Sequence, residues 1–162
     1  MMLSLIALAL AAPGDVPVTM HGIGDLRVGL PVAELRRMGA TQEENPLDEE
    51  GVDCSYWHLP DRDGLAFMVA GGRVVRIDID NPVYRTASGA HVGMSEAEVR
   101  AIYGATMRVE PHPYTGPEGH YLIYRARSEP YGLIFSTNYE NGQTEGLRVG
   151  LWRYVQLIEG CS

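Results

Sequence analysis

An eleven-residue segment occurs twice in this chain, and that reuse limits the available folds more than any other feature. Val28-Gly29-Leu30-Pro31-Val32-Ala33-Glu34-Leu35-Arg36-Arg37-Met38 aligns with Val92-Gly93-Met94-Ser95-Glu96-Ala97-Glu98-Val99-Arg100-Ala101-Ile102 at an offset of 64. Val, Gly, Ala, Glu and Arg recur unchanged, and the pairs Leu30/Met94, Leu35/Val99 and Met38/Ile102 keep their apolar character. Further on, Gly64-Leu65-Ala66-Phe67 matches Gly132-Leu133-Ile134-Phe135 at an offset of 68.

Each copy of the segment reads as a short helix. Ser95 is a good N-cap, and Glu98 three residues later completes a capping box. Met94 and Val99 form a hydrophobic staple, with Leu30 and Leu35 as their counterparts. Pro31 replaces the capping serine in the first copy, which suits a helix start but provides no side-chain acceptor. Gly39 and Gly104 are the stop signals. Helices this short need an apolar surface to hold them, and Leu35/Met38 and Val99/Ile102 are the side chains that would meet it.

Strand patterns follow each helix. In the first copy they are 54–59, 65–70 and 74–80, the last two flanking Gly71-Gly72, a pair suited to a tight hairpin turn. Val75, Ile77 and Ile79 alternate with Arg76, Asp78 and Asp80, the period of a half-buried strand whose charges face solvent. In the second copy the runs are 121–126, 133–137 and 145–149, the last two joined through Asn141-Gly142. Residues 151–158 fit a strand or a helix by sequence, with strand the favoured reading. Residues 41–53 form an acidic loop, and 81–88 link the copies. The expected fold is therefore α+β: two tandem copies of a short helix packed on a three- to four-stranded antiparallel sheet, over residues 20–80 and 88–162.

The N-terminus, an apolar run from Met1 to Ala12 followed by Pro13-Gly14, has the pattern of a secretory signal, with residues 1–11 removed. It is too short for a stable membrane span. Cys54 and Cys161 are the only cysteines. In the oxidising compartment that export implies, an even pair reads as one disulfide. The net charge of −8 disfavours nucleic acid, whose affinity comes from clustered cations. All 13 cationic residues are Arg, so lysine Schiff-base chemistry and a phosphate-loop lysine are excluded.

The segment Val92-Gly93-Met94-Ser95-Glu96-Ala97-Glu98-Val99 and its echo at 28–35 resemble the small outer-membrane assembly lipoproteins of the BamE type and tandem β-lactamase-inhibitor-protein-like domains. The ending Glu159-Gly160-Cys161 is also similar to that of uncharacterised exported bacterial proteins. The resemblance implies short helices on antiparallel sheets and a protein-binding scaffold without catalysis. The chain departs from the lipoprotein pattern in lacking a lipidated cysteine.

The most unusual stretch is 111–121, Pro-His-Pro-Tyr-Thr-Gly-Pro-Glu-Gly-His-Tyr, a shaped loop leading into a strand. His112 and His120 offer a proton-transfer pair, or metal ligands with Glu118, but their spacing matches no zinc motif. Ordering of the loop by both imidazoles is the simpler reading. Tyr114, Tyr121, Tyr124 and Trp152 belong to an aromatic excess after residue 100, and such side chains supply contact area at protein interfaces. They also stack on sugars or fill a core. No catalytic or metal motif is present. The expected function is a non-catalytic, periplasmic or secreted binding or inhibitor-like module of the bacterial cell envelope. Its partner would be another envelope or secreted protein, or a carbohydrate, contacted through His112, Tyr114, His120, Tyr121, Tyr124 and Trp152, with no cofactor. The alternatives are a small periplasmic hydrolase using His112 or His120, and a structural envelope protein.

Overall fold

The computed structural model describes residues 14–44 and 53–161. The signal segment over 1–11, and Asp48, Glu49 and Glu50 of the acidic loop, lie outside these residues. Three two-residue strands, β1 (Val18–Thr19), β2 (Gly22–Ile23) and β3 (Leu26–Arg27), form a small antiparallel sheet. Helix α1 (Val32–Arg37) follows, then strands β4 (Thr41–Gln42), β5 (Cys54–His58), β6 (Leu65–Ala70) and β7 (Arg73–Ile79). After helix α2 (Glu96–Tyr103) come β8 (Arg108–Pro111), β9 (His120–Arg125), β10 (Tyr131–Thr137) and β11 (Thr144–Leu151), and a helical turn, α3 (Trp152–Val155).

The expected architecture of two helix-on-sheet units is overturned. The described residues form mostly antiparallel sheet, eleven strands against three short helices. Eight of those strands make a single sheet in the order β4-β5-β6-β7-β11-β10-β9-β8. Each half is a meander, and the halves fuse where β7 pairs with β11: Ile79 opposite Leu147, Asp78 opposite Arg148, Ile77 opposite Val149 and Arg76 opposite Gly150. Two separate sheets would each leave an unpaired apolar edge, and fusion covers both. Close approach at the seam needs Gly150. Its φ is +144°, and a Cβ there would stand 2.5 Å from the Val75 carbonyl oxygen.

The recurring segments sit in matching surroundings. Gly29 N–H donates to the Val74 carbonyl (2.8 Å) and Gly93 N–H to that of Thr144 (2.7 Å). Val74 and Thr144 return the bond to Leu30 and Met94, at 2.9 and 2.8 Å. The first helical amides, of Val32 and Glu96, donate to the turn carbonyls of Gly72 and Gly142, at 2.9 and 3.2 Å. This last bond serves α1 in particular, because Pro31 offers no side-chain cap. In α2 the capping box is complete: Ser95 Oγ accepts from Glu98 N–H and the Glu98 carboxylate accepts from Ser95 N–H.

Pleating sorts the side chains onto two faces. On one, Trp57, Phe67, Ile77, Val149, Leu147, Phe135 and Leu122 form a continuous core with Leu35 of α1, Val99 of α2 and Val18, Ile23 and Leu26 of the small sheet. Phe67 and Phe135, from the second pair of matching segments, are both fully buried there. The link at 81–88 is bound in as well: Val18 bridges Thr86, and Tyr84 is buried.

The opposite face is covered in part by the C-terminal tail. Residues 151–158 were expected as a strand, but only Leu151 continues β11, and 152–155 form the helical turn α3. The turn sets Val155 and Trp152 against Tyr121, Ile123 and Ile134, which an extended chain would have missed. Residues 41–53 are not wholly a loop either, since Thr41–Gln42 pair with β5. The expected disulfide is present, Cys54 to Cys161 with Cα atoms 5.4 Å apart, and ties the tail to β5.

Two stability measurements follow. The disulfide spans a sequence separation of 107, so replacing both cysteines by Ser is expected to cost about 2–5 kcal/mol. An unchanged denaturation midpoint would contradict this. Gly150→Ala is expected to cost about 1–3 kcal/mol through strain and backbone collision. Gly146→Ala, on the same strand, meets only the Ser136 hydroxyl at 3.1 Å and serves as the milder control. Equal losses in the two variants would remove the special role of Gly150.

Candidate functional site: a polar cleft on the outer sheet face

Arg76 and Asp78 are two residues apart on β7, so both project from the face that the tail crosses. Arg76 Nε donates to both Asp78 carboxylate oxygens, at 3.0 and 2.9 Å. Nη2 reaches Asp78 Oδ1 at 2.9 Å and the Tyr56 hydroxyl at 2.7 Å. Nη1 donates to the carbonyls of Tyr154 (3.0 Å) and Leu157 (2.7 Å). Every one of the arginine's N–H donors thus has an acceptor, as a buried guanidinium requires. The expectation that Arg76 and Asp78 face solvent is corrected: the Arg76 side chain is 5% exposed, while Asp80 remains exposed.

Burial raises the Asp78 carboxyl above the usual range, against the pull of the Arg76 charge. The Tyr56 phenol is pushed up to about 12, by burial first and the neighbouring Asp78 second. Gly160 lies against that phenol, since a Cβ there would come within 2.5 Å of the hydroxyl oxygen. The ion pair is therefore the seat on which the tail rests.

Beside this seat a cleft of about 640 Å³ opens between the tail, the 111–121 loop and the β6–β7 end of the sheet. Ala66, Asp78, Ser136, Gly146 and Arg148 line its floor, with Asp63 and Asp80 on one side and His112, Tyr114 and Tyr121 on the other. The Arg148 guanidinium lies over the Tyr121 ring, 4.9 Å from its centroid. His112 meets Tyr121 edge-on, with centroids 4.6 Å apart. Burial lowers the His112 pKa, and the Arg148 charge lowers it further. The Tyr114 hydroxyl donates to Glu159, linking loop to tail at the cleft mouth, and that bond raises the phenol's pKa. The cleft offers a ligand ring faces, a guanidinium and carboxylates.

The structure brings His112, Tyr114 and Tyr121 to this cleft and places the other candidates elsewhere. His120 alternates with Tyr121 on β9, and its Nδ1 lies 2.7 Å from the Glu96 carboxylate of α2. Tyr124 packs against the main core beside Tyr103, with ring centroids 5.8 Å apart. Trp152 shares a cluster with Tyr121 but lies beside β10, under the Arg125 guanidinium. Arg76, Tyr56 and Arg148 carry no site motif in the sequence, and Asp78 pairs there with Asp80 only as an outward-facing, solvated carboxylate. For Arg76, Asp78 and Arg148 the signal is the alternation itself, which sets charges on one face of β7 and β11; Tyr56 on β5 has none. Among the described residues no cluster of three or more His, Cys, Asp or Glu is arranged to hold a metal ion. No helix among them is long and apolar enough to cross a membrane.

The raised phenol provides a test of the buried seat. A folded-state pKa above the ordinary tyrosine value means that Tyr56 stabilises the fold below about pH 10 and that this contribution is lost as pH rises toward about 12. The difference between phenolate titrations of wild type and Tyr56→Phe should therefore rise near pH 12. A difference centred at the ordinary value would show that the phenol is open to water.

By sequence, no family model and no curated protein matches the chain. Among solved structures it is similar to the uncharacterized protein yfeY from Escherichia coli, with TM-score 0.53 and 10% identity over 83% of this chain and 99% of that one. An extracellular protein containing an SCP domain from Bacillus anthracis matches at TM-score 0.47 and 10% identity, over 91% of this chain and 49% of that one. The chain thus spans about half of the second protein. Neither is described as a BamE-type or β-lactamase-inhibitor-like protein, so that resemblance rests on the sequence segments alone. At this identity the first match is evidence of a shared fold, and of nothing further.

Proposed function

We propose that this protein is an exported, non-catalytic binding module of the cell envelope, and that it takes its partner at the cleft between the 111–121 loop and the C-terminal tail. The observation that carries this reading is the convergence of His112, Tyr114 and Tyr121 on a concave surface beside Arg148. Aromatic residues with arginine are the composition of interface hot spots. Concave surfaces with a few converging polar groups are where ligands bind. The disulfide supports export, because such bonds persist in oxidising compartments. A protein partner is the favoured class, and a carbohydrate stacking on the same rings is the second. The hydrolase reading, on His112 or His120, has less support, since His112 accepts from the Tyr114 amide and meets Tyr121 edge-on while His120 is held by Glu96 away from the cleft.

A photoreactive phenylalanine analogue at position 114 should crosslink to a discrete partner from envelope extract, and unlabelled wild-type protein should compete. The same analogue at Tyr139, an exposed tyrosine away from the cleft, should give no such adduct. Identical adducts from both positions, or none from either, would refute the assignment.

A further inference from the structure

Two arginines occupy the outer face of the paired strands β7 and β11, and they are treated unequally. Arg76 has an acceptor for every donor, and it occupies both oxygens of Asp78. Arg148, directly opposite Asp78 in the register, gives Nη1 to the Leu157 carbonyl at 2.9 Å. Its Nη2 is buried and has no hydrogen-bond partner among the described residues. A buried donor left without an acceptor is destabilising, so such an atom on a residue that lines a cleft calls for an explanation.

We propose that Arg148 is the anchor of a carboxylate subsite, its Nη2 edge donating to a carboxylate of the ligand that enters the cleft. This rests on the reading of the cleft as a binding site and adds the chemistry of what is bound. Three features select a carboxylate. The guanidinium lies against the Tyr121 ring, which limits its freedom and favours the planar, charge-assisted contact an arginine makes. Asp63, Asp78 and Asp80 line the same cleft, and their negative field disfavours a doubly charged phosphate more than a singly charged carboxylate. A neutral carbonyl would satisfy the donor, but without the strength that opposite charge adds. Nη2 is buried in the free protein, so the carboxylate must uncover it on entry.

Such a carboxylate has two natural sources, the end of a peptide and an acidic sugar. The test titrates isotope-labelled, disulfide-intact protein with N-acetylalanine and with glucuronate, each alongside its neutral amide, and follows the Arg148 side-chain resonance by NMR. The expected result is a saturable shift with at least one acid, about tenfold tighter than with its amide, a difference of about 1.4 kcal/mol. The acid that performs better identifies the source. Arg148→Lys, with its fold checked from the amide spectrum, should lose most of the preference for the acid, because ammonium lacks the planar fork. If that variant fails to fold, the acid–amide comparison in wild type decides alone. Equal response to acid and amide, or no saturable shift at Arg148, overturns the subsite. A position-114 crosslink that persists in that case would leave the cleft as a binding site with a different anchor.

Discussion

The pairing of β7 with β11 is the constraint from which the rest of the molecule follows. It joins two four-stranded meanders through their last strands and so builds one continuous sheet. It aligns Ile77 and Ile79 with Val149 and Leu147 on the inner face, continuing the core across the seam. On the outer face the same register sets Arg148 opposite Asp78 and Gly150 opposite Arg76. A slip of one residue would exchange the faces and bury the charges in the core.

The charged centre that this register creates holds the tail more than it holds the sheet. A buried ion pair gains little net stability, because desolvation offsets much of the attraction. Its geometric consequences are larger. Arg76 is oriented by Asp78 and uses Nη1 to grip two carbonyls, that of Tyr154 within α3 and that of Leu157 just beyond it. The disulfide fixes the last residues to β5. Held at both points, the tail becomes one wall of the cleft, and the Tyr114–Glu159 bond joins it to the opposite wall.

Much of the local structure is legible in the sequence. The Ser95/Glu98 capping box, the Gly71-Gly72 turn and the Cys54–Cys161 bond are each encoded by a few residues whose chemistry has a narrow set of outcomes. The fusion of the sheets was not legible, because β7 and β11 carry alternating patterns that suit an edge strand and a central strand alike. The same ambiguity hid the burial of Asp78: alternation reports that two faces differ, and it does not say what covers the second one. Trp152 to Val155 read as strand because aromatic and β-branched residues favour it, and packing against β10 and β11 decided for a helical turn.

By itself, the sequence determined the two short helices, the hairpin turns, the partner of each cysteine and which side chains alternate along each strand. These depend on interactions within a few residues, or on there being only two thiols to join. Tertiary structure alone decided that the sheets would merge, that the tail would cross their outer face, and that His112, Tyr114 and Tyr121 would meet Arg148 while His120 and Tyr124 would not. Those outcomes depend on strand register and on contacts between residues far apart in the chain, where many pairings satisfy the same local pattern and only packing of the whole selects one.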